Sequence, residues 1–384
     1  MQTVENADIM GKKVADQLVE PICRAGIRHI YAVTGDSLNE VNDAVRRAGT
    51  VRWVHVRHEE SGAFAAAAES ELNGIACCAD SSGPGHVHLI NGLYDAHRSN
   101  CPVLAIASTC PSDQFGTGYF QETDPIRLFD DCSGYNQMAV TPAQFARMLP
   151  AALQHAIHRR EVAVVGLPGD VAASPCAESP GASGPLPSHG IYRPLDGELR
   201  QLAEMIGSAE RITVFCGIGA REAHDEVVRL AAMLKAPVAY TFKAKMEVQY
   251  DNPYEIGMTG LLGLPSAYGA MHESDLLLLL GTDFPYDCFL PSECRIAQVD
   301  IRPERIGRRA RVELGLAGDV KETLQALFPM LRERSDRVFL DRQLKIYGAL
   351  CDDMAAVASK RGSAGNIAPE YVATLIDTLA SDSA

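Results

Sequence analysis

The feature that most constrains this chain is a recurring order of helical pattern, short β-branched run, glycine-bearing turn and second helix. Residues 14–25 space Val14, Leu18 and Ile22 at helical intervals and stop at Gly26, with Pro21 placed to kink the helix. Residues 29–33 then read as a strand, Thr34-Gly35-Asp36-Ser37 as a turn, and residues 38–47 as a helix opened by an Asp or Ser cap. Short apolar strands return at 75–79, 103–108 and 162–167, with an amphipathic helix at 143–158. Strands that alternate with helices join side by side through crossovers, so the expected fold class is α/β, with a doubly wound parallel sheet covered on both faces.

One junction stands out within that order. The run VRWVHVRHEESGAFAAAAES sets Glu59 and Glu60 where an alternating strand (Arg52, Val54, Val56) gives way to a small-residue helix. Both acids can be read as first-turn carboxylates stabilised by the helix macrodipole. The second reading starts from the helix, which is apolar nearly all round from Gly62 to Ala68 and is therefore expected to be buried on several sides. At least one acid then enters a low-dielectric site, where a carboxyl is pushed up and hydrogen-bonds as a neutral acid. Downstream, the SSGPG turn follows the strand 75–79 and precedes a helical pattern, where the amides of Gly83 and Gly85 can meet a ligand. The loop 117–124 carries Phe120, Gln121 and Glu122 beyond a strand's carboxyl end. It is either a ligand loop or a surface loop anchored by Phe120.

A Pro-, Ser- and Gly-rich stretch at 172–194 reads as a linker, with the boundary near residue 185. Beyond it, the strand 212–215 runs into Cys216-Gly217-Ile218-Gly219-Ala220, which lacks a third glycine because Glu222 stands in its place. That turn either faces a phosphate or simply connects strand to helix. Strands at 237–241, 275–280 and 296–301, a glycine-rich loop at 257–263 and a helix at 369–379 complete the pattern. Asp300, at a strand end, either accepts from a ligand or caps the Arg302-Pro303 turn.

Charge and cysteine usage exclude some classes. The 35 basic and 49 acidic residues leave a net charge of −14, which opposes nucleic-acid binding and an anionic membrane surface. Eleven scattered cysteines, several in apolar runs, read as reduced core thiols, and the N-terminus shows no apolar leader, so a cytoplasmic protein is expected. His86 and His88 would face together on a strand, but no further ligand is evident in sequence beside them, so no metal site is expected. Neither a P-loop nor a nucleophile elbow is present.

RHEESGAFAAAAES, SSGPGHVHLINGLYDAHRSNCPVLAIAS and GYFQETDP together resemble the pyrimidine-binding domain of thiamine-diphosphate enzymes, in the flavin-linked pyruvate oxidase and pyruvate dehydrogenase (quinone) group. YDNPYEIGMTGLLG and LLLLLGTDFPYDCF resemble that group's flavin-carrying middle domain, so the likeness covers about residues 12–355. It implies a thiamine-diphosphate pyrimidine-binding domain at 1–185, an FAD-binding domain at 186–355, and the start of a truncated third domain at 356–384. By the same resemblance, Glu59 hydrogen-bonds the pyrimidine N1′ and promotes loss of the thiazolium C2 proton, while Glu60 is structural. Phe120 and Gln121 shape the substrate end, and the turn at Gly35 lies near the aminopyrimidine of a cofactor held between two subunits. Gly83 and Gly85 are counted with the thiamine site. FAD falls to Gly217, Gly219, Thr259, Gly260, Leu261, Leu262, Gly281, Thr282, Asp283, Phe284, Pro285 and Asp300.

The implied activity is oxidative decarboxylation of pyruvate to acetate or acetyl phosphate, with quinone or oxygen as acceptor, in a homo-oligomer (dimer or tetramer). The family's GDG-to-Asn element, which holds Mg²⁺ and the diphosphate, has no match here. The chain alone is therefore expected to be inactive unless a separately encoded diphosphate-binding domain is supplied. The alternatives are an acetolactate-synthase-like enzyme, a non-catalytic flavin-binding subunit and a plain nucleotide-binding α/β protein.

Overall fold

A computed structural model describes residues 11–177, 185–186, 190–360, 362 and 366–381. The chain divides into two compact units, Met1–Ser188 and His189–Ala384.

In the first unit α1 (Val14–Arg24) leads to β1 (His29–Ala32), α2 (Asn39–Ala48), β2 (Arg52–His55), α3 (Glu59–Asn73), β3 (Ala76–Asp80) and α4 (Pro84–Ser99). Then follow β4 (Val103–Thr109), α5 (Pro125–Leu128), β5 (Tyr135–Met138), α6 (Pro142–Arg159), β6 (Val162–Pro168) and α7 (Gly169–Ala173). The strands form one parallel sheet in the order β2-β1-β3-β4-β6-β5. β3, β4 and β6 are buried along their whole length, which is why ACCAD, VLAIAST and VAVVGLP read as unbroken rather than alternating apolar runs. Leu18, Ile22, Leu38 and Phe145 fill one core cluster of this unit, and Ala63, Leu89, Leu93 and Phe129 fill another. Each fully buried Leu, Ile or Phe contributes about 1.5–3 kcal/mol of burial free energy.

α3 is covered less than its composition suggests. Its buried positions are Glu59, Gly62, Ala63, Ala66, Ala67 and Ser70, a single stripe at helical spacing, while Phe64 and Leu72 are exposed. The expectation of burial on several sides is therefore corrected to one narrow face. The alanines serve close helix packing, since a Cβ on Gly92 of α4 would lie 2.4 Å from the Ala63 Cβ.

The second unit runs α8 (Asp196–Ser208), β7 (Ile212–Cys216), α9 (His224–Leu234), β8 (Val238–Tyr240), α10 (Lys245–Val248), β9 (Glu255–Met258) and α11 (Pro265–Glu273). It continues with β10 (Leu276–Leu280), β11 (Arg295–Asp300), β12 (Leu314–Ala317), α12 (Val320–Leu327), α13 (Val338–Ala358) and α14 (Pro369–Leu379). Its parallel sheet has the order β12-β11-β10-β7-β8-β9. The predicted loop at 257–263 begins later than expected, because Gly257 and Met258 still belong to β9.

Both sheets are doubly wound, as the helix-strand alternation requires. The winding reverses between β1 and β3 in the first unit and between β7 and β10 in the second. At such a point the loops after the two strands diverge and leave a crevice at the carboxyl ends. Among the described residues no helix is long and apolar enough to cross a membrane. None of the eleven cysteines forms a disulfide, and burial pushes the Cys216 thiol up to about 12.

Candidate functional site

The loops at the β1/β3 reversal gather most of the first unit's expected site residues. Gly35, after β1, lies so close to Ser81, after β3, that a Cβ there would sit 2.2 Å from the serine Oγ. Ser37 Oγ and Ser81 Oγ are 3.0 Å apart, and the Ser82 N–H donates to Ser37 Oγ at 3.2 Å. Gly83 precedes α4 with φ 78° and ψ −113°, and a Cβ on it would meet the Gln121 Cβ at 2.7 Å. Only glycine combines that dihedral with that approach. Gln121 itself has φ 60°, and its carbonyl accepts from Ser82 Oγ at 2.5 Å.

The loop that carries Gln121 has its own internal brace. The Glu122 carboxylate accepts the N–H groups of Gly116, Gly118 and Tyr119, which hold its carboxyl below the usual range. Phe120 is 76% exposed, so the surface-loop reading that tucked it in as an anchor is corrected. The anchor is Thr123, whose Oγ1 accepts from the Gly83 N–H at 3.3 Å and lies 2.6 Å from His86 Nδ1.

The two acids of the HEE junction part company. Glu59, the first residue of α3, is 8% exposed, and its Oε2 lies 3.0 Å from His88 Nδ1 on α4. Glu60 is more exposed and is engaged by the Asn91 side chain and, at 3.7 Å, by His58 Nδ1. Gly85 sits against Glu59, where a Cβ would be 3.3 Å from Oε1. The expectation that no carboxylate stands near His88 is thus corrected, because His86 and His88 lie on a helix that packs on α3. Ligand-type atoms of His58, Glu59 and His88 come within 4.8 Å of one another. The two rings stack at 4.3 Å with planes 24° apart, however, so their in-plane lone pairs cannot converge on one ion without turning.

His86 and Asp80 were not singled out from sequence as site residues, and both are fully buried beside Glu59 and the Gly83 turn. His86 Nε2 donates to the Ser108 carbonyl at 2.9 Å, and burial pushes its imidazole down to about 4. The available signal was the acid that ends a run of small buried residues, ACCAD, directly before the glycine turn.

In the second unit the crevice is closed by backbone. A Cβ on Gly217 would lie 2.4 Å from the Gly281 carbonyl, one on Gly219 would lie 2.7 Å from Gly281 Cα, and the Gly219 N–H donates to Gly281 O at 2.9 Å. These glycines let the β7 and β10 loops touch each other, so the tight-turn reading accounts for them. Thr282 beside them is buried, and its Oγ1 has no partner. Asp300 is buried and accepts the Arg302 N–H at 2.9 Å, which is the capping arrangement, while burial pushes its carboxyl up. Thr259 is buried, Gly260 packs against the Phe284 ring, and Leu261 and Leu262 are each 71% exposed. Phe284 belongs to the core, edge-on to Phe215 at 5.4 Å, whereas Pro285 is exposed. Asp283 is paired with Arg308 and Arg309. The unpartnered Thr282 hydroxyl and the strand-end acid fit a ribose-bearing ligand, and the glycines let the two loops approach each other.

Two family models match the chain: "Thiamine pyrophosphate enzyme, N-terminal TPP binding domain" over residues 12–128, and "Thiamine pyrophosphate enzyme, central domain" over residues 199–327. An uncharacterised 42.6 kDa protein of Pseudomonas amyloderamosa is 50% identical over 87% of this chain and 85% of its own length. The pyruvate oxidase of Lactiplantibacillus plantarum is 31% identical over 80% of this chain and 52% of its own. A chloroplastic acetolactate synthase of Arabidopsis thaliana is 30% identical over 86% and 51%. The chain spans about half the length of these two enzymes.

Proposed function

Because the chain belongs to the thiamine pyrophosphate enzyme family, with its N-terminal TPP-binding and central domains, we propose that it forms those parts of a thiamine-diphosphate- and FAD-dependent enzyme that oxidatively decarboxylates pyruvate. The observation that carries this reading is the separation of the HEE acids. Glu59 is buried at the rim of the β1/β3 crevice with one oxygen engaged by His88, while Glu60 faces outward.

Thiamine diphosphate, when bound, supplies a carbanion nucleophile for the 2-keto acid. The chain's own part is proton handling and placement. Glu59 Oε1, the oxygen beside Gly85, hydrogen-bonds a pyrimidine ring nitrogen and relays its proton. His88 fixes the carboxyl by holding Oε2, and α3 and α4 exclude water from its inner side. Phe120 and Gln121, on the loop pinned by Thr123, shape the substrate end. In the second unit Thr282 and Asp300 would hold FAD, which supplies a two-electron acceptor. Quinone or oxygen then serves as the final acceptor, and the working form is a homo-oligomer.

The test supplies the chain with a diphosphate-binding domain and measures pyruvate turnover and its product. Glu59→Gln is expected to lower turnover by about 10²- to 10⁴-fold with the fold intact, and Glu60→Gln to stay near the parent rate. The opposite ranking would overturn the assignment, and acetolactate as the product would replace the oxidase reading with a synthase.

A further inference from the structure

Beside Glu59 lies a second carboxyl that the reading above does not use. Asp80 closes β3, is fully buried, and neither of its oxygens has a hydrogen-bond partner. His86 Nε2 is 3.7 Å from Asp80 Oδ2, near enough to suggest an ion pair. That nitrogen already donates to the Ser108 carbonyl, however, and Nδ1 takes the Thr123 hydroxyl. With both nitrogens committed in one neutral tautomer, His86 brings no charge to Asp80.

The remaining neighbours offer none either. In the sheet, Asp80 pairs with Ala107 of β4, and Ala79 pairs with Ala32 of β1. On its own strand the Cys78 thiol is itself pushed up by burial. From α3 comes Glu59: the point where a Cβ on Gly85 would sit is 3.3 Å from Glu59 Oε1 and 3.4 Å from the Asp80 Cβ. His88 and His58 lie beyond it, engaged with Glu59 and Glu60. An ionised Asp80 would be a bare buried anion facing another acid, an arrangement that proteins avoid by keeping a proton.

We propose that Asp80 is a neutral acid at ordinary pH, a positioning residue that holds a proton behind Glu59. Burial first, and the charge of Glu59 second, push the Asp80 carboxyl well above the usual range. The inference rests on the reading of Glu59 given above, and it adds that Glu59 has a neutral acid rather than a second anion behind it.

The sign of the pH effect follows from proton counts. An unfolded chain releases the Asp80 proton near pH 4, while the folded chain keeps it, so this group makes stability fall as pH rises. His86 acts the other way between about 4 and 6.5, where the unfolded chain binds a proton that the folded chain refuses. The two contributions cancel in that interval, and Asp80 stands alone above it.

The experiment is denaturant unfolding of the full chain from pH 4 to 9, for the parent, Asp80→Asn and Glu59→Gln, with infrared spectra of aspartate-labelled parent chain at pH 7. Expected are a protonated-carboxyl band at pH 7, a parent stability that falls by up to one proton's slope above about pH 6.5, and loss of that slope in Asp80→Asn. Glu59→Gln, by removing the facing carboxyl, should move the upper end of the window to lower pH. An unchanged slope in Asp80→Asn, or no such band in the labelled parent, would overturn the proposal, and an unmoved window in Glu59→Gln would break the coupling. None of these readings needs thiamine, so they fail independently of the turnover assay.

Discussion

Each unit splits its chain between two neighbouring parallel strands, β1 and β3 in one, β7 and β10 in the other, yet the two reversal points are finished in different materials. At the first, side chains do the lining: Glu59, Asp80 and His86 are buried within a few ångströms of the Gly83 turn, and serine hydroxyls bridge the loops. At the second, glycine backbone meets glycine backbone, and the polar groups nearby are Thr282, with no partner, and Asp300, already capping a turn. Topology places the crevice, while the residues that follow each strand decide whether it is lined by buried polar side chains or by close backbone contact. Burying Asp80 and His86 also gives the first site an acid and a histidine shifted in opposite directions, where the second has the single buried acid Asp300.

The second unit depends on apolar closure, so its most sensitive point is a ring: Phe215, fully buried and edge-on to Phe284. Phe215→Ala is expected to lower that unit's stability by about 3–5 kcal/mol in calorimetry while the first unit's transition stays in place. An equal loss in both units would contradict the separation. The first unit depends on committed protons. With Asp80 already replaced by Asn, so that its opposing contribution is gone, stability should rise by roughly 3 kcal/mol between pH 4 and 6.5 as the unfolded chain gives up the His86 proton. His86→Gln in that background should flatten the rise, and a rise that persists would mean that another group titrates. The smallest effect belongs to Thr282→Val, which removes a buried hydroxyl that has nothing to bond. Stability should be unchanged or higher by about 1 kcal/mol, with FAD affinity measurably weakened. A clear loss of stability would mean that the hydroxyl has a structural partner.

Much of this arrangement was legible in the residues, and the exceptions have physical causes. β3, β4, β6, β7 and β10 were found because a strand buried on both faces is a continuous apolar run. β5 and β12, at sheet edges, carry mixed sequences, YNQM and LGLA, which give no strand signal of that kind. Glu59 was legible as a junction acid. What could not be read was that α4 folds back on α3 to bring His88 to it, or that the acid ending ACCAD loses every partner on burial. Those are facts about packing between elements distant in sequence. Gly217 and Gly219 carry a use that sequence spacing does not reveal: lacking side chains, they let the loop after β7 come into contact with Gly281.

The central claim, that the first reversal point handles a proton for a thiamine ring, is tested most directly by hydrogen-deuterium exchange at the thiazolium C2. The measurement uses thiamine diphosphate held by this chain together with a diphosphate-binding domain. Exchange is expected to be fast in the parent, slowed by about 10²-fold or more in Glu59→Gln and little changed in Glu60→Gln. Exchange at the parent rate in Glu59→Gln would contradict it.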